Sequence, residues 1–213
     1  MERVASEEFI SIVRLKLGPF ETNSYILTCP RTGEGVLVDA PADVPEILNA
    51  SKGTVLKHIL ITHNHFDHTG ALSELKSRLG IPVSAHRLDA QSLPSKAEIL
   101  LEDGQEVTFG DVRLKVLHTP GHTPGSLCFL TGKHLIAGDT IFPGGPGSTR
   151  SPAQLKQIIE SVTSKIFALP DDTAVYPGHG DFTVLGKEKG DFAVFSSRPH
   201  DRDLCGDVLW LSS

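Results

Sequence analysis

The sequence is poor in cysteine and has no long apolar run. Its three cysteines, Cys29, Cys128 and Cys205, stand far apart without CxxC spacing, so neither a disulfide framework nor a thiolate zinc site is indicated. No stretch approaches the length of a membrane span, and acidic residues such as Glu2 and Glu7 stand where a signal peptide needs basic ones. We therefore expect a cytoplasmic protein with no membrane partner.

Clustered basic residues are also lacking. The net charge is -6, and no group of lysines and arginines is dense enough to neutralise a phosphate backbone, so nucleic acid is not an expected partner. The 213 residues include 20 glycines and 14 prolines, which is typical of a globular chain with many turns. We expect one domain over 1–213, in which 190–213 forms a tail that folds back on the rest.

Short β-branched runs separated by Gly, Pro, Asn and Asp predict a high content of strands. The predicted strands cover 9–17, 24–28, 35–39, 58–62, 82–85, 112–118, 126–131, 134–137 and 173–176. Helices are expected after Pro41, after Gly70, over 86–93 and over 152–169. Because a run of strands comes first and helices then mix in, a layered α/β arrangement is favoured over strict alternation.

The helix over 152–169 carries the strongest local signals. Ser151 is a candidate N-cap, Pro152 stands at the first helical position, and Gln154 stands where a capping box has Glu or Gln. Its apolar residues follow helical spacing and predict one face packed on a sheet. They are Leu155, Ile158, Ile159, Val162 and Ile166.

A dense polar motif, HNHFDH at 63–68, follows the apolar run that ends at Thr62. His63 and His65 are two residues apart and share one side of an extended backbone. Asp67 and His68 begin the turn into the next helix, so their side chains can be directed at a second position a few Å away. The motif therefore predicts ligands for two metal ions.

Three further donors stand in Gly- and Pro-rich turns, each after a predicted strand. His122 lies in HTPGHTPGS at 118–126, Asp139 in GDT at 138–140, and His179 in YPGHG at 176–180. Strand ends on a rigid scaffold can bring separate loops together. His58, His86, His134 and His200 lack such motif context and are interpreted as structural. His118 is interpreted as structural as well, because it stands at the end of a predicted strand.

Imidazole and carboxylate without thiolate suit zinc, iron or manganese. A carboxylate such as Asp139 can bridge two cations, and cations roughly 3.5–4 Å apart can share one hydroxide, which is the chemistry of hydrolysis. We therefore expect two divalent metal ions, with zinc as the first expectation and iron or manganese as alternatives.

The order of these motifs resembles the metallo-β-lactamase superfamily, within it the hydroxyacylglutathione hydrolase (glyoxalase II) branch, through THNHFDHTG, HTPGHTPGS, GDTIF and PGHG. The resemblance implies a four-layer αβ/βα sandwich. It implies one metal on His63, His65 and His122 and another on Asp67, His68 and His179, with Asp139 as the bridge. Asp67 and Asp139 are the expected catalytic residues, and Asp39 resembles the outer acid that orients ligand histidines.

Two departures from glyoxalase II concern glutathione. The branch has a basic residue where this chain has Ser148, and it extends further beyond the last histidine ligand than the 34 residues that follow His179 here. The leading prediction is therefore a hydrolase of a small thioester or ester, in which a metal-bridging hydroxide attacks the carbonyl. The alternatives are a mononuclear-iron oxygenase similar to the persulfide dioxygenases, a β-lactamase and a catalytically silent binding module.

Overall fold

Seven strands form the first sheet in the order in which they follow one another along the chain. The computed structural model describes all residues, 1–213. The first four strands are antiparallel, and the fourth to seventh are parallel. The strands are β1 (Glu2–Ser6), β2 (Ser11–Leu17), β3 (Thr22–Thr28), β4 (Glu34–Val38), β5 (Val55–Leu60), β6 (Val83–His86) and β7 (Ile99–Leu101).

The second sheet has six strands in the order β15-β14-β11-β10-β9-β8. Only β11 and β14 pair in parallel, and a small hairpin of β12 and β13 stands beside the sheet. The strands are β8 (Glu106–Phe109), β9 (Val112–His118), β10 (Leu127–Thr131), β11 (His134–Gly138), β12 (Ile141–Phe142), β13 (Gly145–Pro146), β14 (Ala174–Pro177) and β15 (Thr183–Val184).

The helices are α1 (Val44–Ala50), α2 (Phe66–Thr69), α3 (Leu72–Leu79), α4 (Arg87–Ala90), α5 (Pro152–Ser161) and α6 (Leu185–Ser196). None of them combines the length and the apolar character needed to cross a membrane. As predicted, Ser151 caps α5 by accepting a hydrogen bond from Gln154 N at 3.3 Å. The predicted single helix over 152–169 instead changes at Val162 to a five-residue π-helical turn, which ends at Ile166.

Side chains alternate across both sheets and fill three apolar layers. In β3, Tyr25 and Leu27 face the other sheet, whereas Ile26 faces the layer that contains α1 and α3. In β9, Val116 faces the first sheet and Leu117 faces the layer that contains α5 and α6. Helix, sheet, sheet and helix thus follow one another, which confirms the predicted αβ/βα sandwich.

The C-terminal segment packs on the second helical layer. Helix α6, which the sequence did not predict, runs without interruption through Gly190. Beyond it the chain returns to bury Trp210, whose ring lies 5.2 Å from the ring of Phe195. Trp210 N also donates to Gly144 O at 2.7 Å, which fixes the loop between β12 and β13.

Candidate metal centre

Chain segments that follow five strands meet at one edge of the two sheets. The segment after β4 contributes Asp39, the segment after β5 contributes the HNHFDH motif, and the turn between β9 and β10 contributes His122. Asp139 follows β11 and His179 follows β14. The two sheets therefore act as a rigid frame that presents short, turn-rich segments to a common point.

The structure brings six of the seven predicted donors into two neighbouring groups. In the first group, His65 Nδ1 lies 3.1 Å from His63 Nε2 and 2.9 Å from His122 Nε2. In the second group, His179 Nε2 lies 3.0 Å from Asp67 Oδ2 and 3.2 Å from His68 Nε2.

The Asp139 carboxylate lies between the two groups. One oxygen, Oδ1, is 3.3 Å from His68 Nε2, and the other, Oδ2, is 3.6 Å from His122 Nε2 and 3.7 Å from His179 Nε2. Oδ1 is buried and accepts no hydrogen bond from any group in the structure. A buried carboxylate oxygen without a donor is costly, and a cation beside it would remove that cost.

The outward nitrogens of four histidines are engaged by other groups. His122 Nδ1 donates to Ser148 O at 2.8 Å, and His179 Nδ1 donates to Phe20 O at 3.2 Å. His63 Nδ1 lies 3.0 Å from Thr62 Oγ1, and His68 Nδ1 lies 2.7 Å from Asp39 Oδ2. Because a carbonyl oxygen only accepts, the inward Nε2 atoms of His122 and His179 carry lone pairs when these rings are neutral.

The spacing of the inward atoms fits a metal cation. Donor atoms about 2.0–2.2 Å from a tetrahedral ion are roughly 3.3–3.6 Å apart. The donor distances within the second group range from 3.0 to 3.8 Å and bracket that value. Imidazole lone pairs and carboxylates aimed at one point suit a divalent cation, and no thiolate is present.

The ionisation of the buried groups follows from their neighbours. Burial lowers the pKa of His63 well below its usual value, and the nearby His68 lowers it further. Burial also opposes the charge of His68, but the Asp139 and Asp39 carboxylates outweigh it and hold the pKa of His68 well above the usual range. Burial raises the pKa of Asp139, yet the surrounding histidines outweigh it and hold that pKa well below the usual range.

Asp39 joins the strand that precedes the motif to one of the motif's histidines. Besides the contact with His68, its carboxylate accepts from Thr62 N and from Thr62 Oγ1, both at 2.8 Å. The backbone of Asp39 has φ of 61°, a left-handed conformation that is uncommon outside glycine and that marks a constrained site. The contact with His68 is the orienting one that the resemblance predicted for Asp39.

A second buried carboxylate, Asp89 in α4, was not predicted and holds the other ligand loops. Its oxygens accept from Asn64 N at 3.1 Å, from Thr123 Oγ1 at 2.7 Å and from Gly125 N at 2.8 Å. Asn64 stands between His63 and His65, and Thr123 follows His122, so one side chain ties together the loops of the first donor group. The sequence offered no signal for it beyond an aspartate shortly after a strand.

The turn that carries His179 is held by the β2–β3 hairpin. Pro177 O accepts from Tyr25 Oη at 2.6 Å and from Asn23 Nδ2 at 3.0 Å, while Gly180 O accepts from Arg14 at 3.2 Å. At Gly178, an added Cβ would overlap Asp139 Oδ1 and would lie 2.5 Å from Cε1 of His68. Glycine is therefore required at this position for the turn to approach the site.

The histidines that were interpreted as structural lie outside both donor groups. His118 stacks on His86 with ring centroids 3.9 Å apart, and it bonds to Pro124 O at 2.9 Å. His134 lies 2.9 Å from both Glu7 Oε1 and Tyr176 Oη. The side chain of Arg150 forms no hydrogen bond or ion pair with the donors, and Ser148 reaches them only through its backbone carbonyl, which accepts from His122.

Residues 17–179, more than half of the chain, match the sequence profile of the Metallo-beta-lactamase superfamily. A hydroxyacylglutathione hydrolase of Rhizobium etli is 38% identical over 156 residues, which cover 70% of this chain and 59% of that enzyme. Hydroxyacylglutathione hydrolase GloC of Haemophilus influenzae is 32% identical over 155 residues, which cover 63% of this chain and 73% of that enzyme. The chain thus spans less than two thirds of the Rhizobium enzyme.

Solved structures with metallo-β-lactamase names are also similar to this chain, as is ETHE1. ETHE1 from Myxococcus xanthus is 31% identical with a TM-score of 0.76, over 84% of this chain and 81% of that one. BLEG-1, a B3 metallo-beta-lactamase, is 30% identical with a TM-score of 0.75, over 84% of this chain and 96% of that one. TTHA1623, in a di-iron-bound form, is 30% identical with a TM-score of 0.72, over 83% and 96%. The sandwich fold, the histidine and aspartate cluster and these matches agree, and the chain belongs to the metallo-β-lactamase superfamily.

Proposed function

We propose that this protein is a metal-dependent hydrolase of a small thioester or ester. The observation that carries the proposal is the pair of donor groups around Asp139, each with inward atoms at metal-ligand spacing. The similarity to hydroxyacylglutathione hydrolases supports a thioester as the substrate. Two divalent cations fit the number of donors, and zinc is our first choice.

We assign one cation to His63, His65 and His122 and the other to Asp67, His68 and His179. Asp139 reaches both groups and is assigned as the shared ligand. Cations held in this way would act as Lewis acids that polarise a substrate carbonyl and lower the pKa of water at the site.

The protein's own part is to orient the donors and to keep the carboxylates ionised. His179 bonds to Asp67 and, with His68, lowers the pKa of that carboxyl although burial opposes the shift, so Asp67 is ionised at neutral pH. Asp39, Ser148 O and Phe20 O engage the outer histidine nitrogens and fix the ring orientations. We assign Asp67 and Asp139 as the catalytic carboxylates because both lie among the donors that face the reacting carbonyl.

The cavity that Ser148 lines is poorly suited to the carboxylates of glutathione. The position of the branch's basic residue is Ser148, and no lysine or arginine lines the cavity that Ser148, His122 and His179 share. The cavity does contain Asp207, which would repel a carboxylate such as those of glutathione. Neutral thiol carriers therefore belong in the substrate panel beside glutathione.

The proposal is tested by metal analysis of the purified protein, combined with a panel of glutathione thioesters, other thioesters, lactones and β-lactams. We expect two equivalents of metal and turnover of at least one thioester or ester. Asp139→Ala should abolish turnover while the fold is retained. Wild-type turnover in this variant, with metal still bound, would contradict the assignment.

The similarity to ETHE1 favours one second candidate, an iron-dependent persulfide dioxygenase. Metal content separates the two functions, because one iron per chain together with oxygen uptake on glutathione persulfide would replace hydrolysis. The absence of a basic residue at Ser148 weighs against an enzyme that must hold glutathione persulfide and so favours the hydrolase.

A further inference from the structure

A cavity of about 510 Å³ lies beside the metal centre and is separate from the cavity that Ser148 lines. Three segments form its walls: the β2–β3 turn, the loop that leads into α1, and helices α2 and α3. Its volume is within the range of about 300–1,000 Å³ that holds small molecules in proteins.

The cavity begins at the second donor group. Asp67 lines the cavity, and its Oδ2 lies 3.0 Å from His179 Nε2. Phe20 lines the cavity as well, and its carbonyl oxygen accepts the hydrogen bond from His179 Nδ1. A molecule in the cavity would therefore extend directly from the reacting centre.

Two large aromatic side chains on the cavity are exposed to solvent. Phe20 is 62% exposed and Phe66 is 77% exposed, although the sequence places Phe66 between two donors, His65 and Asp67. Pro41 and Val44 extend the apolar wall. Exposed aromatic surface at the mouth of a site is typical of a surface that a ligand covers.

The charges on the cavity are all negative. No lysine or arginine lines it, whereas Asp43, Asp67 and Glu74 do. Asp43 accepts from Gly18 N at 2.9 Å and thereby holds the β2–β3 turn against α1, and Glu74 pairs with Arg78 on the surface of α3. Away from the metal centre, a carboxylate inside the cavity would lose hydration without gaining a cationic side chain as a partner.

We propose that this cavity binds the acyl part of the substrate, and that the acyl part is an apolar chain or ring without negative charge. The inference depends on the proposed hydrolase function. A short hydroxyacyl group of two or three carbons would leave most of the volume to water, so a longer acyl group is favoured.

The test is a series of thioesters with one neutral thiol, N-acetylcysteamine, and acetyl, butyryl, hexanoyl, octanoyl or glutaryl groups. We expect kcat/KM to rise roughly two- to fourfold for each added methylene, because burial of a methylene contributes about 0.8 kcal/mol at most. The kcat/KM of the glutaryl thioester should be at least tenfold lower than that of the hexanoyl thioester. Equal values across the series, with metal-dependent turnover intact, would overturn the cavity assignment and leave the hydrolase proposal standing.

Matched variants locate the effect. Phe20→Ala keeps the backbone carbonyl that accepts from His179 but removes an apolar wall of the cavity, and Ala42→Trp fills the cavity. Both variants should reduce the dependence of kcat/KM on acyl chain length while the metal content stays unchanged. Leu100→Ala removes an apolar side chain that is 51% exposed on β7, away from the cavity, and should leave the dependence on chain length as in the wild type.

Binding provides a readout that does not depend on turnover. In NMR titrations of the purified protein, 2-octanone should shift amide signals over 17–22, 41–45 and 66–74 and bind roughly four- to fifteenfold more tightly than 2-hexanone. Shifts elsewhere, or equal affinity of the two ketones, would overturn the cavity assignment. If the metal-loaded protein hydrolysed no thioester or ester at all, the hydrolase proposal would fail, and these titrations would still decide what the cavity binds.

Discussion

His68 Nδ1 lies 2.7 Å from Asp39 Oδ2, and both side chains are buried. This contact sets the orientation of a ring whose other nitrogen faces His179 and Asp139. We expect Asp39→Asn to weaken metal binding at the second donor group by about 10- to 100-fold, which is the usual effect of removing a partner of a ligand histidine. In a cobalt titration followed by absorption, one of the two cobalt equivalents should bind with lower affinity and the other with unchanged affinity. Equal loss at both equivalents would contradict a role specific to His68.

Asp89 allows the complementary test. We expect Asp89→Asn to weaken the first donor group by about 10- to 100-fold, because the amide has one acceptor oxygen where the carboxylate serves Asn64, Thr123 and Gly125 with two. The cobalt titration should then show the opposite pattern from Asp39→Asn. If both variants weakened binding of the same cobalt equivalent, the assignment of Asp39 to the second donor group and of Asp89 to the first would be wrong.

Gly178→Ala is expected to abolish turnover. The added methyl group would overlap Asp139 Oδ1 and the His68 ring, so either the His179 turn or Asp139 must move. Zinc analysis after dialysis should show less than the full metal content, while circular dichroism stays close to that of the wild type. Gly180→Ala is the matched control for a change of backbone in the same turn, because nothing lies within 4 Å of its Cβ position, although its positive φ also strains that variant.

The metal-free protein should be most stable near pH 6.5. The folded pKa of His63 lies below the unfolded value of about 6.5, so the free energy of unfolding rises with pH up to that value. The folded pKa of His68 lies above 6.5, so its contribution is complete below pH 6.5 and is lost as pH rises through the folded pKa.

Urea unfolding of the metal-free protein between pH 5 and pH 9 measures this profile. The decline above pH 6.5 should become smaller in His68→Gln, and it should vanish in the metal-loaded protein, where metal replaces the proton on His68. A free energy of unfolding that rises steadily to pH 9 without metal would contradict the assigned direction for His68.

The strands and the donor stretches could be predicted because their signals are local. The apolar run before His63 and the Gly- and Pro-rich turns around His122 and His179 mark strand ends directly. Six strands were not predicted: β1, β7, β8, β12, β13 and β15. β7 has three residues, β8 four and the last three strands two each, and β1 carries charged and small residues. Such strands owe their existence to pairing partners that the sequence does not reveal.

Helix α6 and Asp89 depend on contacts between distant parts of the chain. The helix contains Gly186 and Gly190, lacks a side-chain N-cap and has no clear apolar stripe, so every local signal is weak. The buried Glu188 holds it from within, because its carboxylate accepts from Gly144 N at 2.7 Å and from Thr183 Oγ1 at 2.6 Å. Partners 44 residues apart are beyond what spacing and composition can predict.

The pairing of Gly206 with Thr149 connects the C-terminal segment to His122, one of the proposed metal ligands. Gly206 N donates to Thr149 O at 2.8 Å, Thr149 N donates back to Gly206 O at 3.2 Å, and the neighbouring Ser148 carbonyl holds His122. Proteolytic trimming or an affinity tag that displaces Gly206 would therefore loosen the proposed ligand His122 from a distance. In purification, a clipped preparation should release its metal more readily to a chelator than the intact chain.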